Sequence, residues 1–110
     1  MTMPDYSHVK TLKAAQALAK DGKLTGILLF PAELGGEDVP QNIVYVPPQA
    51  AEARTLIIGT LRRFVSEGLI DKLTVTPEYR GNSFIPSRIV FHAIDSHGKH
   101  GAFDPTVEVW

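Results

Sequence analysis

Three of the chain's four histidines lie in its C-terminal third, where imidazole could act as a base or bind a metal. His92 lies in a stretch whose alternating side chains predict a β-strand. His97 and His100 share a Gly-rich segment that predicts the tip of a hairpin. Imidazole is the commonest protein metal ligand and titrates near neutral pH. The spacing therefore offers a metal site at His97 and His100, with Asp95 or Asp104 nearby. The simpler interpretation is a solvated hairpin tip without a metal.

A second group of chemically capable residues follows the first predicted strand. Gly35-Gly36 permits a tight turn or the close approach of a ligand to the backbone. The carboxylates of Glu33, Glu37 and Asp38 lie close to this glycine pair in the sequence. Carboxylate oxygens suit a hard divalent cation, but the spacing of these acids matches no established ligand pattern. We therefore predict an acidic binding surface without a metal, to which Arg88 adds an interface residue on a later strand. The predicted binding residues of the loop are Glu33, Gly35, Gly36, Glu37, Asp38 and Asn42.

The amino-acid composition disfavours or excludes several classes of function. The 110 residues carry 11 Lys and Arg against 12 Asp and Glu, a formal net charge of −1. Because phosphate neutralisation supplies most nucleic-acid affinity, this balance and the lack of a basic run disfavour a nucleic-acid partner. There is no cysteine, which excludes thiol catalysis, disulfides and cysteine-ligated zinc.

The length of the chain fits a single domain over residues 1–110. The first residues have no apolar core region of the kind found in signal peptides. No apolar run is long enough to span a bilayer. We expect a cytoplasmic protein with no membrane partner.

The periodicity predicts two helices that flank two short strands. Ser7 can cap a first helix that runs to about Lys20, and Pro48 and Gly68 are typical of the ends of a second helix over residues 49–67. Residues 24–30 form a continuous apolar run, which predicts a central strand buried on both faces. Residues 42–46 predict a second strand.

The pattern of the C-terminal part predicts strands at 73–76, 85–94 and 106–110, with a turn over 77–82. These strands are joined too tightly for parallel crossovers, so we predict an antiparallel meander. The predicted class is α+β, in the order α-β-β-α-β-β-β, with two helices packed on one mostly antiparallel sheet of about five strands. The last strand could form an exposed edge that pairs across a homodimer.

Two stretches of the chain resemble a known family. Pro31-Ala-Glu-Leu-Gly-Gly, then Asn42-Ile-Val and Pro47 before an Ala- and Arg-rich helix, resembles the core of the ββα-metal nucleases. That family includes the HNH type and the DNA/RNA non-specific endonucleases of bacterial polymorphic toxins. Residues 75–89 are similar to a strand-turn-strand of the toxin-borne enzymes. Together the two stretches cover under half of the chain.

The residues that carry the family's chemistry are absent from the matching positions. The family's catalytic His corresponds to Leu28, and the preceding acid to Ile27. An aliphatic side chain can neither accept a proton nor bind a cation. Only Asn42 matches the family's Asn. The resemblance therefore implies a degenerate nuclease-like module that has lost hydrolysis.

Taken together, the residues and the resemblance predict a non-catalytic protein that binds another protein, without a cofactor. The resemblance implies an immunity or accessory role in a bacterial toxin system. The alternative is an endonuclease that uses a divalent metal at a displaced site, with His92 as the base and Glu33, Asp38 or Asn42 at the metal.

Overall fold

The first helix is shorter than predicted, because a later residue caps it. The structure is a computed structural model that describes residues 5–110. Helix α1 spans Leu12–Lys20, and the Thr11 hydroxyl oxygen accepts a hydrogen bond from the Ala14 N–H at 3.1 Å. The expected Ser7 cap is wrong, since Ser7 instead donates its backbone N–H to the Asp5 carboxylate. Both residue types can cap a helix. The segment between them is held outside the helix, with Val9 buried and its carbonyl accepting the Phe84 N–H.

The second helix agrees closely with its sequence signals. Helix α2 spans Pro48–Ser66, with proline in its first turn and Gly68 beyond its end at a φ of +75°. Proline costs nothing there because its missing N–H would have no helical partner. The buried residues of α2 are Ala50, Ile58 and Leu61. This stripe turns the helix toward the core.

The first two strands form a separate hairpin. Strands β1 (Thr25–Leu28) and β2 (Ile43–Val46) pair antiparallel, with Leu28 opposite Ile43. The prediction that the first strand is central and buried on both faces is wrong, because β1 belongs to a two-stranded sheet and none of its residues is fully buried. A short apolar run does not distinguish a central strand from a hairpin strand beside a cleft.

The last three strands form the predicted antiparallel meander. Strands β3 (Lys72–Tyr79), β4 (Pro86–Ile94) and β5 (Thr106–Glu108) lie in the order β3-β4-β5. The predicted turn over 77–82 begins too early, because β3 continues through Pro77 to Tyr79. Proline is tolerated there because β3 is an outer strand. Strand β5 is the other outer strand, and pairing through it in a homodimer stays a prediction.

The α+β class and the predicted element order are confirmed, but the strands form two sheets of two and three strands instead of one. Helix α2 contacts both β1 and β5, so it joins the two sheets. One apolar cluster draws on both sheets and both helices. Its buried members are Val9, Ala15, Leu24, Val44, Val46, Ala50, Leu61, Ile70, Ile85, Ile89, Phe91, Ala93, Val107, Val109 and Trp110.

Neither α1 nor α2, within residues 5–110, is both long enough and apolar enough to cross a bilayer. Helix α2 has the length, but it carries Arg54, Arg62 and Arg63.

Candidate functional site: the acidic loop and the histidine clusters

Residues 31–42, here called the acidic loop, connect β1 to β2 and take a defined shape. Two short 3₁₀ turns, Ala32–Leu34 and Pro40–Asn42, flank a glycine pair. Gly35 has a φ of +103°, which side-chain-bearing residues rarely adopt. Gly36 donates its N–H to the Pro31 carbonyl at 2.9 Å, and a Cβ there would overlap the Phe30 carbonyl oxygen. Both glycines are therefore required by the loop's own backbone.

Asn42 holds the two ends of the acidic loop together. Its side-chain oxygen accepts the Phe30 N–H at 2.8 Å, and its side-chain nitrogen donates to the Phe30 carbonyl at 2.9 Å and the Glu37 carbonyl at 3.0 Å. The Leu29 N–H also donates to the Asn42 carbonyl at 2.7 Å. This amide is thus committed to loop structure, so Asn42 acts in the predicted binding site by shaping it.

The three carboxylates of the acidic loop are exposed to solvent. Among residues 5–110, the side chains of Glu33, Glu37 and Asp38 make no hydrogen bond or ion pair. Glu33 borders a cleft of about 290 Å³ that also involves Ile70 and Leu73, whereas Asp38 borders a different cleft of about 360 Å³ on the β1–β2 hairpin. The loop therefore presents separate negative charges and does not gather them around one ion.

A partly buried arginine lies behind the acidic loop. The Arg54 guanidinium of α2 donates a hydrogen bond to the carbonyl of Leu28, and its Nε is buried without a hydrogen-bond partner among the described residues. Burial lowers the pKa of Arg54, and the negative charge of Glu33 partly offsets that effect. No local sequence pattern marks this role of Arg54, because it depends on the packing of α2 against β1.

Arg88, the predicted interface residue on β4, lies on the three-stranded sheet and does not join the acidic loop. Its Nε is 3.0 Å from a Glu108 carboxylate oxygen, and its Nη1 is 3.8 Å from Glu78. The three residues occupy facing positions on adjacent strands. Arg88 therefore neutralises acids of its own sheet, at an exposed site where such pairs contribute about 0–1 kcal/mol each.

His92 lies on the same exposed face of the sheet and contacts Asp104. Its Nδ1 is within hydrogen-bonding distance of the Asp104 carboxylate. His92 is paired with Thr74 of β3 in the sheet register. A carboxylate on one imidazole nitrogen fixes the tautomer and leaves the other nitrogen available. His92 is therefore paired with Asp104. Glu33, a candidate metal ligand of the predicted nuclease site, instead lines the cleft with Ile70 and Leu73.

The tip of the β4–β5 hairpin brings together the richest group of titratable side chains. Asp95 accepts hydrogen bonds from the backbone N–H groups of His97, Lys99 and His100, and its Oδ2 is 2.9 Å from the His100 Nδ1. These donors, the His97 N–H foremost, lower the pKa of Asp95 to about 2, although burial partly opposes them.

Asp71, which sequence reasoning did not select, completes this group. It precedes β3 and is 24 positions from Asp95, but β3–β4 pairing places its Oδ2 3.5 Å from the His97 Nδ1. Hydrogen bonds from the Ser96 hydroxyl and N–H lower the pKa of Asp71, with a smaller effect from His97. No local sequence pattern marks Asp71, because its role depends on strand register.

No protein-family model, no curated protein and no solved structure matches this chain. The resemblance to the ββα-metal nucleases consequently stays a prediction that rests on its two stretches. The succession of β1, β2 and α2 has the element order of that family's core. Many unrelated folds share this order, so it does not identify a family.

Proposed function

We propose that this protein functions by binding a protein partner, and that the acidic loop docks against a basic surface of that partner. The observation that carries the proposal is the clustering of three exposed carboxylates on one short, hydrogen-bonded loop. Within the described residues, the side chains of Glu33, Glu37 and Asp38 make no hydrogen bond or ion pair. The acids in or next to the three-stranded sheet are paired with nearby side chains instead, namely Asp71, Glu78, Asp95, Asp104 and Glu108.

The acidic loop is suited to binding because its shape does not depend on a partner. Asn42 clamps both ends, and the Gly35-Gly36 turn is held by hydrogen bonds to Ala32 and Pro31. A preorganised loop loses little conformational entropy on association, so more of the interaction energy appears as affinity. Exposed charges of one sign also accelerate encounter with a surface of the opposite sign.

The class of partner follows from charge and from the resemblance. Carboxylates on a rigid loop can occupy positions that nucleic-acid phosphates would take on a basic enzyme surface. The proposed partner is therefore a basic nuclease, and the proposed role is that of an immunity or accessory protein of a bacterial toxin system in the cytoplasm. On this proposal Leu28 and Ile27 replace the family's base and acid, and the chain itself needs no cofactor.

A charge-reversal experiment tests the acidic loop as the docking surface. The partner is first captured from the host at low salt and identified by mass spectrometry, and its affinity is then measured by titration. The triple variant Glu33→Lys, Glu37→Lys and Asp38→Lys should weaken binding by at least about tenfold and slow association. The control variant Asp21→Lys, Glu52→Lys and Glu67→Lys changes the net charge equally at other exposed acids. Equal affinity of both triple variants for the partner would exclude the loop.

A second candidate function is favoured by the pairing of His92 with Asp104. We infer that, if this chain is an enzyme, His92 is its general base, because a carboxylate that orients an imidazole is a common arrangement in hydrolases. The activity would be metal-dependent cleavage of DNA or RNA. Incubation of plasmid DNA and of RNA with magnesium, manganese or zinc tests it. Metal-dependent cleavage that disappears in His92→Ala would favour this candidate over the binding function.

A further inference from the structure

We infer that Asp71, Asp95 and His97 form a binding site for a divalent transition-metal ion such as Zn²⁺ or Mn²⁺ at the tip of the β4–β5 hairpin. One donor atom from each of these three residues lies within 4.8 Å of the other two. The inference is independent of the proposed protein-binding function. It concerns residues outside the acidic loop, although Asp71 and Glu33 line the same cleft.

The distances between donor atoms match a metal site. The His97 Nδ1 is 3.5 Å from the Asp71 Oδ2 and 3.5 Å from the Asp95 Oδ1. Two ligand atoms bound about 2.1 Å from a tetrahedral zinc ion lie roughly 3.4 Å apart. Two of the three ligand–ligand distances therefore match a zinc site, and an oxygen of each carboxylate lies within 4.8 Å of the other.

The two carboxylates keep the necessary lone pairs free. The Asp71 Oδ2 accepts one hydrogen bond, from the Ser96 hydroxyl at 2.5 Å, and the Asp95 Oδ1 accepts one, from the His97 N–H at 3.0 Å. A carboxylate oxygen offers about two lone-pair sites, so each has one left. The remaining hydrogen bonds orient the ligands from outside, as outer partners do in metal proteins. His100, on the Asp95 Oδ2, is such a partner.

The ligand types decide which ion fits. Two carboxylate oxygens and one imidazole nitrogen suit Zn²⁺ and Mn²⁺ better than Mg²⁺ or Ca²⁺, which favour oxygen alone. Three protein ligands leave coordination positions for water, and the His97 side chain is 75 % exposed. The site would therefore hold an ion that is open to solvent and to a further ligand. This differs from the His97–His100 pair predicted from sequence, since His100 supports a ligand and does not supply one.

Metal titration of the full chain tests the site. Protein stripped with a chelator is titrated with Zn²⁺ by calorimetry and with Mn²⁺ by NMR. His97→Gln and Asp71→Asn should each weaken Zn²⁺ binding by more than about tenfold, and His100→Ala, which removes only an outer partner, by roughly tenfold. His8→Gln is the matched control and should bind as the unsubstituted chain does.

Paramagnetic broadening then locates the ion. Mn²⁺ should broaden the amide signals of Ser96 and His97 before those of the acidic loop. The His97 ring makes no backbone hydrogen bond, so His97→Gln should fold normally, which its amide spectrum would verify. Absence of Zn²⁺ binding, equal binding by His97→Gln, or broadening centred on Glu33, Glu37 and Asp38 would each overturn the inference. In those cases the His97 ring would only contact the two aspartates, without a shared ion.

Discussion

The side chain of Asn42 satisfies both backbone groups of Phe30, accepting its N–H at 2.8 Å and donating to its carbonyl at 2.9 Å. Phe30 lies two residues after the end of β1, and Asn42 is the residue before β2. One amide therefore substitutes for the strand pairing that ends at Leu28 and Ile43. The width of the acidic loop, and hence the separation of its carboxylates, depends on this contact.

Replacement of Asn42 should destabilise the protein more than any change at its exposed neighbour. Asn42→Ala leaves the partly buried N–H and carbonyl of Phe30 without partners, at a cost of about 2–3 kcal/mol in the free energy of unfolding. Thermal unfolding should show a midpoint lowered by roughly 10 °C or more. Gln41→Ala is the control, since its exposed side chain makes no hydrogen bond within residues 5–110. Similar midpoints for the two variants would contradict the clamp.

Two glycines should respond to alanine in opposite directions. At Gly36 a Cβ would overlap the Phe30 carbonyl, so Gly36→Ala should lower the free energy of unfolding by about 2 kcal/mol or more. At Gly59, inside α2, a Cβ meets nothing within 4 Å. Gly59→Ala should therefore raise the free energy of unfolding by about 0.5–1 kcal/mol through helix propensity and reduced chain entropy. Urea unfolding measures both, and a neutral Gly36→Ala would show that the loop can relax.

The elements that could be predicted from the sequence are those whose ends carry residues with strong backbone preferences or whose side chains alternate. Pro48 and Gly68 delimit α2 because their backbone preferences act locally, and the alternation of Ile89, Phe91 and Ala93 places one face of β4 in the core. The division into two sheets was not predictable, because it depends on which strands pair across the core. The same limitation made β1 look like a central strand.

The candidate sites were predictable only as far as their members lie close in sequence. Gly35-Gly36 and the acids around them marked the acidic loop, and His97 with Asp95 marked the hairpin tip. Asp71 could not be selected, because the β3–β4 register alone brings it to His97. Arg54 could not be selected for a similar reason, since its contact with Leu28 depends on how α2 packs.

In the metal-free protein, the charge of Asp95 should stabilise the hairpin tip in a pH-dependent manner. Its pKa is about 2 in the folded chain, below the ordinary 3.8, so the stabilisation is complete above about pH 4. It is lost as the pH falls through the window between these two values. Asp95→Asn should therefore unfold at a lower temperature than the unsubstituted chain at neutral pH, and this difference should shrink toward pH 2.

Amide exchange at neutral pH provides a local readout of the same effect. The N–H groups of His97, Lys99 and His100 should exchange faster in Asp95→Asn, because a neutral amide oxygen is the weaker acceptor. Exchange in the middle of β4 should not change. A stability difference that persists unchanged at pH 2 would mean that the carboxylate's charge is not the cause.

Trp110 should contribute to stability through both its volume and its indole N–H. It is 7 % exposed, donates from Nε1 to the Ile85 carbonyl at 3.1 Å, and meets the Tyr6 ring edge-on at a centroid distance of 6.1 Å. Trp110→Phe retains most of the packing but removes the donor, and should cost about 1–2 kcal/mol. Trp110→Ala also leaves a cavity and should cost about 3–5 kcal/mol.

The control for Trp110 is Leu56→Ala, which removes a large apolar side chain that is 75 % exposed. Because that side chain gives up little contact with water on folding, its loss should change the free energy of unfolding by no more than about 0.5 kcal/mol. Circular dichroism in urea follows all three variants, since two of them lack the chain's single tryptophan. If Trp110→Ala cost no more than Leu56→Ala, the C-terminal residue would not be packed into the core between Tyr6 and Ile85.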